Sequence, residues 1–519
     1  MGSEALPIVA CAMNPFDAPP RPYRPSPQAS ASWLTSIAFA ALLAGCAVGP
    51  DYVRPQLDLP TAYQEDAGWK PATPQLIDAS QPWWEAYRDA GLSALMAQAN
   101  HANQNILQSE AVYREARAIA AAARASFFPT VGASAGASRA RSNSSGSVKL
   151  GDDYSLGLAA SWEPDVWGSV RRAVEAGDAG TQASAADLAG ARLSIQSTLA
   201  QDYMQVRAID LQRKLYAATT DAYARSLALT QHQYAAGVVL RSDVALAQSQ
   251  LAQAQAQAVD LEAQRSQLEH AIAVLTGQTP STFRLAPLAE GDAMQMQVPV
   301  VPPGLPSTLL ERRPDIAAAE RRMRAANANI GVAQAALYPQ ITLSASGGFN
   351  SATIGALFNT PSRVFSLGAA LAQTVFDGGL RRAHSDQAVA TYDASVAQYK
   401  QTVLSGFQQV EDNLATLRLL EQESSYQAQA VEASQLSERL ALSQYRAGTA
   451  SYLSVVTAQA LSLTNQRSAA QLLGRRLVAS VALIAATGGG WNTAGLASLS
   501  SPLSPSSPTA SDMPAHAGS

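Results

Sequence analysis

Cysteine is nearly absent: Cys11 and Cys46 are the only two in 519 residues, too few for a disulfide framework or a thiolate metal site. The five histidines, His101, His232, His270, His384 and His516, are scattered with no pair three or four residues apart, so zinc-enzyme helical spacing is missing too. Charged residues make up only 15% of the chain and the formal net charge is -4, which removes the basic footprint that nucleic-acid binding requires. The eight methionines are dispersed, Met294 and Met296 being the closest pair, and encode no soft-metal pathway. The N-terminal apolar stretch from Trp33 to Gly45 is about thirteen residues, short of the ~20 that cross a bilayer as a helix.

Proline is withheld from three long stretches, 83–128, 165–279 and 362–501, although the chain contains 28. Because proline removes a backbone donor and clashes with the preceding turn, such gaps are what long helices need. The stretch from Gly168 to about Ala235 predicts a helix of roughly 100 Å at 1.5 Å per residue, with Gly237 set to end it. The returning segment carries Val244, Ala247, Leu251, Ala254, Ala258, Leu261, Leu268, Ile272 and Leu275 on a coiled-coil rhythm, broken only by Arg265. Shorter helices are expected at 81–100, 105–125 and 314–336, with Pro314 and Asp315 suited to the first turn of the last.

The chain repeats itself at a distance of about two hundred residues. Ser126-Phe127-Phe128-Pro129 returns as Ala336-Leu337-Tyr338-Pro339, and Gly168-Ser169-Val170-Arg171-Arg172-Ala173 as Gly378-Gly379-Leu380-Arg381-Arg382-Ala383. Gln233-Tyr234-Ala235-Ala236-Gly237 returns as Gln444-Tyr445-Arg446-Ala447-Gly448, and Thr276-Gly277 as Thr487-Gly488. A unit of this size is far longer than a solenoid repeat, so each half is a whole set of elements beside its copy. In the second copy the seam is expected at Leu453, Val456, Ala460, Leu463, Ala470, Leu477, Val481 and Ile484, interrupted by Arg467 and Gly474.

Ahead of each helical pair the period drops to two. Val131, Ala133, Ala135 and Ala137 alternate with Thr130, Gly132, Ser134 and Gly136, and Tyr154, Leu156, Leu158, Ala160 and Trp162 alternate with small polar partners. The second copy repeats this through Ile341 to Phe349 and Phe365 to Leu371. Apolar-out, small-polar-in segments of about ten residues are the signature of membrane barrel strands, here at about 126–140, 152–163, 338–351 and 362–376. Four strands cannot close a barrel, and open edges in lipid leave backbone groups unpaired, so closure must come from other copies. Two copies supply eight strands, whose interior fills with side chains; three supply twelve and leave a duct. The Ser/Asn/Gly-rich segments 141–151 and 351–361 are expected as exterior loops.

Small residues before Cys46, in Leu43-Ala44-Gly45-Cys46, read as a cleavage site and resemble the lipobox of bacterial lipoproteins. That resemblance implies a covalent lipid on Cys46 as the only non-protein group, with no cofactor. Ala47 stands where an aspartate signals inner-membrane retention, which implies the outer membrane, with the body extending into the periplasm. Residues 1–32 are long and proline-rich for a signal n-region, so the true start is expected further along. The plan is a signal segment at 1–45, a lipidated arm at 46–80, a first repeat at 81–279 with its hairpin at 168–276, and a Pro-rich link at 280–306. A second repeat at 307–491, with its hairpin at 379–487, precedes a disordered Ser/Pro/Ala tail at 492–519.

No catalytic constellation is present. Gly488-Gly489-Gly490 is followed by Trp491 rather than by a phosphate-cradling helix and reads as a helix stop, while Asp165 and Asp377, at strand-to-helix junctions, read as caps.

These features together resemble the outer membrane factor family, the TolC-like proteins, and most closely its OprM/CusC/NodT-type lipoprotein branch. The match is carried by Cys46-Ala47-Val48-Gly49-Pro50-Asp51-Tyr52, Trp83-Trp84, Arg312-Arg313-Pro314-Asp315-Ile316, Ala326-Asn327-Ala328, Phe376-Asp377-Gly378-Gly379 and the two Tyr-x-x-Gly turns. The resemblance implies a mainly helical homotrimer with a shared twelve-stranded membrane barrel and a periplasmic helical barrel of long coiled-coil hairpins. It implies a passive exit duct for drugs or other small molecules, a periplasmic adaptor, and an inner-membrane pump of the resistance-nodulation-division class. Adaptor docking and the closed end are then expected at Tyr234, Gly237 and Ser242 and at Tyr445, Arg446, Gly448 and Tyr452. Leu453, Thr457 and Asp243 are aperture candidates; Leu453 matches a leucine ring of relatives, whereas Thr457 stands where they carry aspartate and Ala460 where they carry arginine. Arg446 is a candidate for an inter-helix polar clasp. Two rivals stay open, a type I protein-secretion duct on the same architecture and a periplasmic coiled-coil scaffold lipoprotein.

Overall fold

The structure, a computed structural model, describes residues 47–56, 62–66, 82–144, 147–288, 298–299 and 309–497. Cys46, the signal segment, most of the link and the tail lie outside the described residues.

After 3-10 turns at Gln64–Asp66 and Trp83–Tyr87 come α1 (Ala90–Ala102) and α2 (Gln104–Ala125), then strands β1 (Thr130–Ser144) and β2 (Ser147–Trp162). The first helical hairpin is α3 (Ser169–Ala235) with α4 (Arg241–Leu275). A short α5 (Leu309–Arg312) and α6 (Pro314–Ala335) lead to β3 (Gln340–Ser351) and β4 (Arg363–Ala372). The second hairpin is α7 (Leu380–Arg446) with α8 (Tyr452–Ala486), followed by α9 (Ala494–Ala497). The segment expected as helix from 81 instead makes a 3-10 turn, which the left-handed Arg88 (φ 53) closes before Asp89 caps α1 through the Leu92 N–H.

The strands form one antiparallel sheet in the order β1-β2-β3-β4. The first strand pair is longer than its sequence pattern suggests: pairing continues from Thr130↔Ser161 to Ser144↔Ser147, so most of the segment expected as a loop at 141–151 is strand. The second loop is more compact, with 3-10 turns at Ile354–Ala356 and Thr360–Ser362 and the Phe358 ring set edge-on to Phe349 at 5.4 Å.

Both long hairpins turn through glycine in the left-handed region, Gly237 at φ 73 and Gly448 at φ 74, where a β-carbon is disfavoured. The α4 seam is buried at Ala247, Ala254, Leu261 and Ile272. In α8 the seam holds at Leu477, Val481 and Ile484 but slips by one residue toward the turn. There Tyr452, Val455, Gln459 and Ser462 are buried, while Leu453 is 60% exposed and Ala460 is exposed as well. The reason is that α8 packs against α3 as well as α7, and Gly474 permits that approach: a β-carbon there would sit 2.7 Å from the Ala208 methyl. Trp83, Leu92, Met96, Tyr203, Leu414 and Leu477 fill the main core beneath these helices.

Candidate functional site

The sheet has two unlike faces. One carries Val131, Ala133, Ala135 and Ala137 of β1 opposite Ala160, Leu158, Leu156 and Tyr154 of β2, and continues through Ala345 and Phe349 to Leu367 and Phe365. The other carries Thr130, Ser161, Ser344 and Gly368 in one row and Gly132, Ala159, Ser346 and Ser366 in the next. Eight residues separate Tyr154 from Trp162, roughly 27 Å of strand and about 21 Å of height at a barrel tilt of ~40°, close to the ~25 Å apolar band of outer-membrane barrels. At the helix end of this band Trp162 Nε1 donates to the Phe127 carbonyl (3.0 Å), Trp167 Nε1 to the Pro339 carbonyl (2.7 Å), and Trp167 stacks on Tyr338 at 4.9 Å. These contacts lock the bases of the two strand pairs together. β1 and β4 are edge strands, each paired on one side within the described residues.

Both strand-to-helix junctions are capped by the expected carboxylates. Asp165 accepts the Val170 and Arg171 N–H groups at 2.9 Å, and Asp377 accepts those of Gly379 (3.0 Å) and Arg381 (3.3 Å). The Arg381 guanidinium and these backbone donors hold the Asp377 carboxyl below the usual carboxylate range.

The N-terminal arm starts at the same level. The Val48 N–H donates to the Trp167 carbonyl (3.1 Å), and Arg172, buried, donates to the Val48 and Gly49 carbonyls and to Asp51 at 2.8 Å. Gly49 and Gly331 touch backbone to backbone, and Asn327 donates to the Pro50 carbonyl. Arg313 explains the Arg-Arg-Pro-Asp motif: its buried guanidinium reaches Asp315, Gln409 and the Ala486 carbonyl at 2.9 Å, tying α6 to α7 and to the end of α8.

Midway along the hairpins sits a charged cluster that sequence reading missed. Arg265, the one break in the α4 seam, donates Nε to Asp210 at 2.7 Å and Nη1 to Glu269 at 3.0 Å. Arg265 Nη2 binds the Leu285 carbonyl, Arg207 binds the Ala286 carbonyl, and the two carboxylates accept the Leu285 and Leu288 N–H groups. The cluster thus straps residues 283–288 across α3 and α4. Arg207 also lies over the Tyr203 ring, whose hydroxyl donates to Asp89 at 2.8 Å. The duplication keeps the pair as Glu421 and Arg476, which are ion-paired but more exposed, and Arg418, the copy of Arg207, pairs with Glu65 of the arm. An arginine inside an apolar seam, with an acid at the same place in both copies, was the signal available.

The hairpin tips bring together some of the expected residues. Tyr445 and Tyr452, both buried, lie with ring centres 5.4 Å apart against Ala247 and Val455. Tyr445 donates to Gln233, and Tyr452 shares a 3.2 Å hydrogen bond with Ser226, so the second hairpin clasps the first. Burial raises the Tyr445 pKa, with Tyr452 and Asp243 adding to the effect against a lowering contribution from Thr230. The repeat is broken here, because Tyr234, the copy of Tyr445, is 46% exposed beside exposed Val238 and Leu240. Ser242 and Arg446 are exposed, and Arg446 has no ion-pair partner among the described residues. Asp243 accepts the Leu240 N–H at 3.2 Å and so closes the start of α4. Leu453, Thr457 and Ala460 share an exposed face, and the Thr457 hydroxyl is spent on the Leu453 carbonyl (2.9 Å). Among the described residues no three His, Cys, Asp or Glu side chains gather as a metal site.

Comparison with known proteins agrees with this architecture. A family model described as outer membrane efflux protein matches residues 95–278 and 305–489, one match per repeat. The chain is 32% identical over 471 residues to the pyoverdine export outer membrane protein OpmQ of Pseudomonas aeruginosa, covering 89% of this chain and 97% of that protein. It is 32% identical to the toluene efflux pump outer membrane protein TtgC of Pseudomonas putida, over 88% of this chain and 96% of that one. The solved outer-membrane channel OprN superposes with a TM-score of 0.79 at 31% identity, covering 86% of this chain and all of that one.

Proposed function

This chain belongs to the outer membrane efflux protein family, and from that premise we propose that three copies close one twelve-stranded barrel and serve as the passive exit duct of a tripartite efflux system. It is an outer-membrane channel component of efflux, not an enzyme. The observation that carries the trimer is the four-stranded sheet with one apolar face, one small-polar face and two open edges. In lipid each edge must find a partner strand, and the β4 edge of one copy against the β1 edge of the next satisfies both. The inward face, mostly Ser, Thr, Gly and Ala with Asp153, Gln340, Asn350 and Val364 among them, offers solutes few groups to bind, so the duct supplies a path while its partners supply energy and direction.

A lipid on Cys46 is supported by the position of its neighbour. Ala47 lies against Gly168, at the junction of sheet and helix, and Val48 is bonded to Trp167 of the aromatic belt. The exposed tip residues Tyr234, Gly237, Ser242, Arg446 and Gly448 are assigned to contact with a periplasmic adaptor that links the duct to an inner-membrane pump of the resistance-nodulation-division class, while Tyr445 and Tyr452, expected at the same contact, are buried and hold the two turns together. Relatives named for pyoverdine and for toluene fit a duct of low chemical preference that carries small molecules.

The test is direct. Full-length protein extracted in mild detergent should run as a heat-sensitive trimer, conduct ions in planar bilayers, and carry acyl mass that Cys46→Ala removes. Monomeric material that never conducts overturns the reading.

A further inference from the structure

The lipid-facing side of the sheet does not end in neutral residues. On β1 the row Val131, Ala133, Ala135, Ala137 continues in the same alternation to Arg139 and Arg141, beyond the reach of β3. On β4 the residue of that face farthest from the helices is Arg363, opposite Phe349. All three arginines are exposed. The corresponding positions of the inner strands carry no cation: β2 presents Asp152, Leu150 and Tyr154, and β3 presents Phe349 and Ser351. Among the described residues Asp152 is the only acid on this face, and it meets Arg139 at 3.2 Å, leaving two net positive charges per protomer.

The strand order turns this into a site. β1 and β4 are the two edges, so the three arginines sit at opposite sides of one sheet. Within one sheet Arg363 lies in the row of Phe349, Leu156 and Ala135, four and six residues short of Arg139 and Arg141. A closed barrel of tilted strands staggers its register around the ring, and a stagger of four to six residues where the β4 edge of one copy meets the β1 edge of the next gathers Arg363 of one protomer with Arg139 and Arg141 of its neighbour on one seam. Each seam lies at the end of the apolar band away from the helices, hence in the outer leaflet, and three seams encircle the barrel. The helix end of the same face has Trp162, Phe127 and Tyr338 instead, and the nearest cations there, Arg171 and Arg381, are committed to Asp165 and Asp377.

We propose that each seam binds the phosphate groups of an outer-leaflet glycolipid, with Arg139 and Arg141 of one protomer and Arg363 of the next as donors and with acyl chains lying on Leu156, Phe365 and Leu367. Guanidinium groups at the lipid interface pair with phosphate through charge-assisted, often bidentate hydrogen bonds, and the alternation aims them toward lipid rather than into the duct. The site rests on the trimeric closure proposed above.

Its test uses the full-length trimer in detergent, titrated with diphosphoryl lipid A and, in parallel, with dephosphorylated lipid A of the same acylation. Intact-complex mass spectrometry counts lipids per trimer. Up to three diphosphoryl lipids are expected, with affinity falling about fivefold per arginine in Arg363→Gln and Arg139→Gln/Arg141→Gln, and largely kept when the same residues become lysine. Equal binding of the dephosphorylated lipid, or unchanged binding in the triple glutamine variant, overturns the site. A wild-type chain that is monomeric in the same spectra refutes the closure itself, a result distinct from a trimer that ignores phosphate.

Discussion

Asp210 is the residue whose loss should show most sharply how the link between the repeats is strapped to the first hairpin. Its carboxylate is 3% exposed as a side chain and accepts from Arg265 Nε at 2.7 Å, from Arg207 Nη1 at 3.3 Å and from the Leu288 N–H at 3.2 Å. Asp210→Ala leaves two buried guanidinium groups short of a counter-charge, a loss that runs to ~3–5 kcal/mol for a broken buried pair. Glu269 still holds Arg265 at 3.0 Å, which sets the expectation at the lower end, about 3 kcal/mol. Because the cluster straps residues 283–288, this energy acts on local opening there, and about 3 kcal/mol raises the open fraction roughly a hundredfold. Arg284, exposed between buried Phe283 and Leu288, supplies a tryptic site inside the strap. Under conditions where opening is fast relative to cleavage, nicking after Arg284 should accelerate by about that factor, with Asp210→Asn intermediate. Arg265→Ala should act similarly, and the double variant by less than the product of the two, since both remove one interaction. A nicking rate within ~2-fold of wild type for Asp210→Ala, or effects that simply multiply, would refute this account.

Three further outcomes follow from other parts of the chain. Gly488→Ala places a β-carbon 2.1 Å from the Arg312 carbonyl at φ 95, whereas Gly490→Ala, at φ 83, meets nothing within 4 Å. Both carry left-handed strain of ~1–2 kcal/mol, so the melting temperature should fall clearly more for the first, and equal falls would contradict the close approach. Tyr445→Phe keeps the ring packing but removes the hydroxyl that donates to Gln233, a net loss of ~1 kcal/mol; closed-state leak in single-channel recordings should rise about fivefold, and Arg446→Ala should raise it too if it forms the proposed clasp. Asp202 has its pKa raised by burial, so its ionised form opposes folding: the penalty is absent below the unfolded carboxylate pKa and complete above the folded one. Asp202→Asn should therefore stabilise the protein at neutral pH and lose its advantage in acid, as thermal melts across pH 3 to 7 would show; an advantage that persists in acid would assign the gain to something else.

Much of this molecule was settled by its residue order alone. Proline gaps, glycine turns and seam spacing mark the long hairpins because a helix depends on contacts within four residues, and the 210-residue echo marks the duplication because copies keep their local patterns. Period-two alternation marks the strands for the same reason. Only the tertiary structure decided which Tyr-x-x-Gly turn is buried: Tyr234 and Tyr445 have like neighbours in sequence, but just one has Ala247, Tyr452 and Val455 folded against it. It also decided the phase of α8 near its start, where contact with α3 outweighs the heptad shared with α7, and it converted Arg265 from an interruption into the centre of a strap. Partners from twenty to several hundred residues apart leave no periodic trace. The sheet order β1-β2-β3-β4, which puts arginines on both open edges, is a property of pairing between strands that no local pattern specifies.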